Sequence, residues 1–234
     1  TELADTELVP IVQERVLRVR PGMGKRLQAA IDETLEQLSE DTRATLLHDL
    51  TLDDFRSLYP FHPALMRTLI DVTARLSRER AAIRLLYELL IQRHPDLPIG
   101  SLVPYASLFD AVFLPQGLTG GSRNEELTVV HQTYYERLAP LIDATYEEDE
   151  QRKRAHLVVK TALLCGLSKS MREAVTVERI LHLNYQDLRG RTPFGSYQSI
   201  ARILSDLDNR SELVHFTPNA TNPALGVVSI TLAS

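Results

Sequence analysis

Apolar residues recur at helical spacing along most of this chain, and only near its end does the period shorten to that of strands. Leu8, Ile11, Val12, Val16 and Leu17 predict a helix over residues 2–19, stopped by Pro21 and Gly22. Leu27, Ala30, Ile31, Leu35 and Leu38 line one face of a second, over 25–38. Ser39 or Asp41 caps a short helix ending near Leu50, and Thr51 with Asp54 resembles a cap for LDDFRSLY. The two prolines of YPFHP (59–63) break the chain, since each biases its predecessor away from helix. Pro63 suits the first turn of a long helix, HPALMRTLIDVTARL, with Leu65, Leu69, Val72 and Leu76 as its stripe.

A helix over 79–92 follows Ser77. HPDLPIG is a loop, 102–113 a further helix, PQGLTGGS (115–122) a flexible connector and 125–146 a long helix. The charge switch EEDEQRKR (147–154) marks a boundary between units 1–150 and 151–234. Beyond it, 155–168 and 176–183 read as helices and LRGRTPFG as a turn region. Ser196 caps SYQSIARILSDLDN, with Ile200, Ile203, Leu204 and Leu207 on one face. ELVHFT and GVVSITL then have strand composition, joined by the turn-rich TPNATNPAL. Helices followed by a hairpin are the order of a winged helix. The expected fold class is mainly α: a helical unit, then a winged-helix-like α+β unit.

Composition narrows this picture. Apolar residues make up 44% and charged residues 24%, an ordinary globular mix, and without Trp the core must be Leu, Ile, Val and Ala. The one cysteine, Cys165 in TALLCGL, cannot form an internal disulfide, which makes the cytoplasm the expected compartment. It reads as a small core hydrophobe. There is no signal peptide and no apolar run near the roughly 18 residues of a membrane span. The chain begins with Thr in mid-pattern, so a piece of a longer protein is expected. The net charge of −5 hides an asymmetry. Residues 151–234 carry 11 Lys and Arg against 6 Asp and Glu, a balance of +5, which leaves −10 for residues 1–150.

Self-contained catalysis finds no support. RPGMGKR (20–26) lacks the first glycine of a phosphate loop, since Val19 stands there, and Arg26 replaces its Ser or Thr. The seven histidines show no HxxH or HExxH spacing, and His48 and His62 read as helix-end or turn residues. No Ser/His/Asp set assembles. The distinctive stretch is SRERAAIRLL (77–86). Arg80 and Arg84 lie one helical turn apart, and Arg84 has Glu88 as a local partner. Arg78 and Arg80 have no carboxylate three or four residues downstream, and they sit at a helix start, where the dipole disfavours cations. Such arginines can meet a phosphate or a carboxylate from elsewhere in the fold.

The stretch LTLDDFRSLYPFHPALMRTLIDVTARLSRERAAIRLLYELL (50–90) resembles a segment of the large P-loop ATPases of bacterial phage defence, those of the phage growth limitation system and their BREX relatives. There a YPFxPAL turn and a helix precede an RER-type cluster. ELVPIVQERVLRVRPG also resembles the stretch that follows the family's nucleotide-binding core. RERAAIRLL is similar to the lid helix of origin-recognition-type AAA+ proteins, whose arginine reaches the γ-phosphate of ATP. Arg80 is the best match to that arginine and Arg84 the second, with Arg78 beside them; Glu79 and Arg78 depart from the small residues usual there.

The resemblance implies a lid and winged-helix region that couples ATP binding and hydrolysis to conformational change. ATP and Mg would be bound by the parent protein and not by this chain, which alone would be inactive. Its partners would be a nucleotide-binding core preceding Thr1, and DNA or other defence proteins through 151–234. A winged-helix DNA-binding regulator is the alternative, with Arg191, Arg202 and Arg210 as contacts and Asp206 and Asp208 counting against it. A ligand-free helical scaffold is the third reading.

Overall fold

The computed structural model describes residues 17, 19–37, 51–76, 81–121, 123–169, 171–172 and 175–233. The helix expected over 2–19 and the short one ending near Leu50 lie outside the described residues, apart from Leu17 and Val19. Arg20 to Met23 form a tight turn, with Pro21 second, Gly22 third at φ 80°, and Met23 N donating to Arg20 O at 3.0 Å. Helix α1 (Gly24–Gln37) follows. Its Ile31 and Leu35 form a small apolar cluster with Phe55 of α2 (Leu52–Leu58).

Helix α3 (Pro63–Arg75) starts as its sequence demands. Pro63 occupies the first turn, and the Nδ1 of His62 accepts the Ala64 N–H at 3.1 Å as the N-cap. Helix α4 (Ala81–Tyr87) widens into a π-helical turn, Glu88–Arg93. The chain then runs extended, and Val103 N donates to Pro60 O at 2.9 Å. Only Ser107–Val112 (α5) is helical where 102–113 was expected, because Pro104 and the pairing of Val103 with Phe61 hold the earlier residues out of helix. The expected connector 115–122 is not featureless: β1 (Phe113–Leu114) and β2 (Gly117–Leu118) close an antiparallel hairpin there, with Gly117 at φ 138°. Residues 125–145 run as α6 (Glu125–Gln132), a π-helical turn (Thr133–Leu138) and α7 (Ala139–Thr145).

Helix α8 (Asp149–Leu167) takes residues 149–154 of the charge switch into its first turns, and Tyr146–Glu148 before it are non-helical. Asp149 and Glu150 suit the positive end of the dipole. From Thr161 to Cys165 every residue is buried, the mark of a helix packed on several sides. There follow β3 (Val175–Thr176), α9 (Val177–Leu183), α10 (Tyr185–Leu188), α11 (Pro193–Asp208), β4 (Val214–Thr217) and β5 (Val227–Ile230). The sheet order is β3-β5-β4, all antiparallel, with Val214 opposite Ile230 and Val175 opposite Val228. The N-cap of α11 is Thr192, whose hydroxyl accepts from Gly195 N at 3.1 Å. Ser196, the expected cap, is already inside the helix because Pro193 starts it earlier. The fold is mainly α with an α+β unit.

One apolar cluster runs from Leu58 to Val228 and takes in Leu69, Leu86, Phe109, Leu127, Val158, Leu163, Ile200 and Leu204. Buried polar groups are set into it. Asn184 Oδ1 accepts from Ala106 N at 3.1 Å, and its Nδ2 donates to Thr161 Oγ1 at 2.7 Å and Ile180 O at 3.3 Å. Thr68 Oγ1 and Tyr105 OH share a bond of 2.8 Å. Cys165 lies against the same hydroxyl, and burial pushes its thiol up to about 12, so it is an unreactive core residue.

Two outcomes follow from this interior. Asn184→Ala removes three bonds and strands the buried Ala106 N–H, while Thr161 Oγ1 keeps its bond to Leu157 O at 2.7 Å, so urea unfolding should show a loss of about 1–3 kcal/mol; a loss below about 0.5 kcal/mol would mean the amide is dispensable. His62 and His182 are each 4% exposed. Burial lowers both from 6.5 to about 4, and for His62 the charges of His182 and Arg67 add to it. The unfolded chain therefore binds more protons than the fold between those values. Stability is full above pH 6.5 and falls as pH drops towards 4. The half-buried His94 and His156 shift the same way. The urea midpoint should drop between pH 7 and about 5, and by less in His182→Gln; an unchanged midpoint would contradict neutral buried rings.

Candidate functional site

Of the arginines singled out in SRERAAIRLL, Arg78 and Arg80 lie outside the described residues. Arg84 is exposed on α4, whose other side buries Ala82, Leu85 and Leu86. Its expected pairing with Glu88 is not made. Glu88 Oε1 instead accepts from Arg93 Nε at 3.1 Å and Nη2 at 2.9 Å, and Arg93 also donates to the carbonyl of Asp110. The cause is the π-helical turn, which sets residues five apart above one another. Arg84 shares its outward face with Tyr87 and Ile91, 55% and 54% exposed.

The helix that leads into this arginine cluster is fastened to the rest of the molecule. On α3, Asp71 Oδ2 accepts from Ser168 Oγ at 3.2 Å and from Lys169 N at 2.9 Å, just past the end of α8. One turn on, Arg75 donates to Glu126 of α6 at 2.7 Å and to the carbonyl of Asp71. The last turn of α3 is thus gripped from two sides.

At the C-terminal unit, Arg191, Arg202 and Arg210 are all exposed. They are not one cluster. Arg191 precedes the first turn of α11, and Arg210 follows its end, a helix length of about 24 Å away. Arg202 and Arg210 do share a neighbourhood. Their charges bear on the hydroxyl of Tyr146, whose phenol is pushed up to about 12 by burial and by the Asp206 carboxylate.

Other polar groups are structural. His156 bridges Tyr134 OH at 3.0 Å and Asp143 Oδ1 at 3.1 Å, but Tyr134 is only 3% exposed and offers a substrate nothing. Lys160 donates to Asp110 at 2.7 Å and lies 5.4 Å from the Tyr134 ring centre. The RPGM turn presents no cradle for phosphates, because its amide closes on its own carbonyl. Among the described residues no three His, Cys, Asp or Glu side chains gather as metal ligands, and no helix is long and apolar enough to cross a membrane.

Asp71 and Asn184 did not stand out in the sequence. A carboxylate between Ile70 and Val72 of an apolar-striped helix, and an amide ending the run ILHLN, are the signals that could have marked them. No solved structure matches the chain. A family model does match, over residues 9–220, described as the second domain of the BREX system ATPase PglY. The match covers most of the chain and includes the arginine-bearing helices and the α+β unit as far as β4, with β5 beyond it: the chain belongs to this family of phage-defence ATPase domains.

Proposed function

We propose that this domain relays the nucleotide state of its ATPase from the arginine cluster at 78–84 to the C-terminal α+β unit. The observation that carries the reading is the Asp71 fastening. The helix that ends at the cluster is bonded, through Ser168 and Lys169, to the segment that leads from α8 into β3. A shift of α3 against a phosphate-bearing neighbour would pull on that segment directly, and packed interiors transmit such shifts as steps of whole elements.

In this reading residues up to about 150 act as a lid. Helix α8, strand β3, helices α9 and α11 and the β4–β5 hairpin, in sheet order β3-β5-β4, form a winged helix. ATP and Mg belong to another domain, since this chain offers no phosphate cradle of its own among the described residues. Its contribution is cationic: Arg80 first, Arg84 second, Arg78 beside them, pairing with phosphate oxygens presented by that domain. The exposed Tyr87 and Ile91, one turn beyond Arg84, would then seat the lid on its neighbour.

The test is ATP hydrolysis by the full ATPase, with this chain alone as the blank. The chain alone should be silent. Arg80→Ala should lower kcat by about tenfold or more, as loss of a charge-stabilising donor does. Asp71→Ala should leave hydrolysis in place but abolish the nucleotide-dependent change in hydrogen exchange of α11. Unchanged turnover in Arg80→Ala would reduce the arginines to surface charge. An unchanged α11 response in Asp71→Ala would remove the relay.

A further inference from the structure

We propose that the outward face of α11, with the Arg189–Arg191 loop that opens it, is a binding surface for duplex DNA. The inference stands on the geometry of the C-terminal unit and not on the nucleotide reading; either can fail without the other.

At 100° per residue, the exposed face of α11 is centred on Phe194, Gln198, Arg202, Ser205 and Asn209. The two carboxylates that weigh against nucleic acid in the bare sequence flank it, Asp206 one turn from Arg202 and Asp208 on the far side. Asp206 and Asp208 fall to opposite edges, both partly buried, with Asp206 against the Tyr146 hydroxyl. The face therefore carries two amides, a guanidinium, a hydroxyl and one aromatic ring that is 55% exposed. These are the groups that read base edges in a major groove: Gln for adenine, Arg for guanine, an apolar ring for the thymine methyl.

The helix start supplies the phosphate side. Gly190 N donates to Ser196 Oγ at 2.7 Å, Ser196 Oγ donates to Thr192 O at 3.0 Å, and Gly195 N donates to Thr192 Oγ1 at 3.1 Å. These bonds pin the loop to the first turn and hold Arg189 and Arg191 beside it. Arg154 joins them, its Nη2 donating to Arg189 O at 3.4 Å while its Nε faces Glu150 at 3.4 Å. Glu150 and Asp187 are the carboxylates of this rim. Exposed cations at the positive end of a helix dipole are electrostatically misplaced until an anion arrives. From α8 onward, residues 149–234 carry 11 Lys and Arg against 8 Asp and Glu, a balance of +3 that adds attraction at this end of a chain whose net charge is −5.

Duplex DNA fits better than the rival macromolecules. A protein-docking face takes its affinity from a cluster of aromatic and apolar anchors packed together at its centre, and the exposed face of α11 offers one, Phe194, at its N-terminal edge. The major groove of duplex RNA is too narrow and deep for a helix, whereas that of DNA admits one.

The experiment is fluorescence anisotropy of the whole chain with fluorescein-labelled DNA duplexes of about two helical turns, of several sequences and across a salt series. An RNA duplex of equal length runs beside them. Binding to DNA should weaken steeply with salt and exceed binding to RNA. Arg191→Ala should weaken binding to every sequence and reduce the log–log salt slope by about one. Gln198→Ala and Arg202→Ala should each cost about tenfold on the preferred duplex and flatten the preference. Arg202→Lys should lose the preference while keeping the salt slope. Arg137→Ala, an exposed charge deletion away from this face, should change little. All the substituted side chains are exposed, so thermal melts should match wild type. Absence of saturable binding at low salt, equal binding to RNA, or equal losses in Arg137→Ala and Arg191→Ala would each overturn the proposal.

Discussion

The side chain of Asn184 holds three parts of the chain at once, and the rest of the structure depends on that junction. It accepts from Ala106 in the turn that opens α5, donates to α8 and donates back into α9. A buried amide must satisfy both its oxygen and its nitrogen, so the three segments have one arrangement in which all the bonds form. Round it lie Tyr105 with Thr68, His62 with His182, and the apolar side chains of α3, α8 and α11. The interior is therefore continuous from the turn at residue 59 to the last hairpin. Helix α8 starts at Asp149, after a non-helical connection at 146–148, but it packs on α3, α7, α9 and α11, so the two halves share one interior across that connection.

That continuity gives the function its physical basis. Membership of a phage-defence ATPase domain family accounts for a chain with no phosphate cradle of its own in the described residues. What such a domain can contribute is cations at one end, a surface at the other and a stiff connection between them. Asp71 is the shortest part of that connection. The face of α11 is the surface whose chemistry is most specific.

Helix positions were legible where one periodic stripe faced one core, as in α1, α3 and α11. Legibility failed where tertiary bonds override local pattern. Residues 102–106 carry apolar spacing, but Val103 bridges to Phe61 and Tyr105 N donates to Leu183 O from a turn at 105–106. The charged run at 147–154 looks like a linker but opens a helix, because its acids precede its bases in the order the dipole favours. The π-helical turns leave no mark in a stripe, and one of them turned Glu88 from Arg84 to Arg93. As for the candidate site, the arginines could be found from charge spacing. Asp71 and Asn184 left only a faint mark, a polar residue set in an apolar run, because their partners lie 97 and 78 residues away in sequence.

The central claim is that both halves form one mechanical unit, and hydrogen exchange of the whole chain across a urea series tests it most directly. Amides of α3, α8 and α11 should lose protection at the same urea concentration and with the same denaturant dependence, as one cooperative unit. If α11 and the β4–β5 hairpin keep their protection after α3 has opened, the halves are independent, and no relay runs between them.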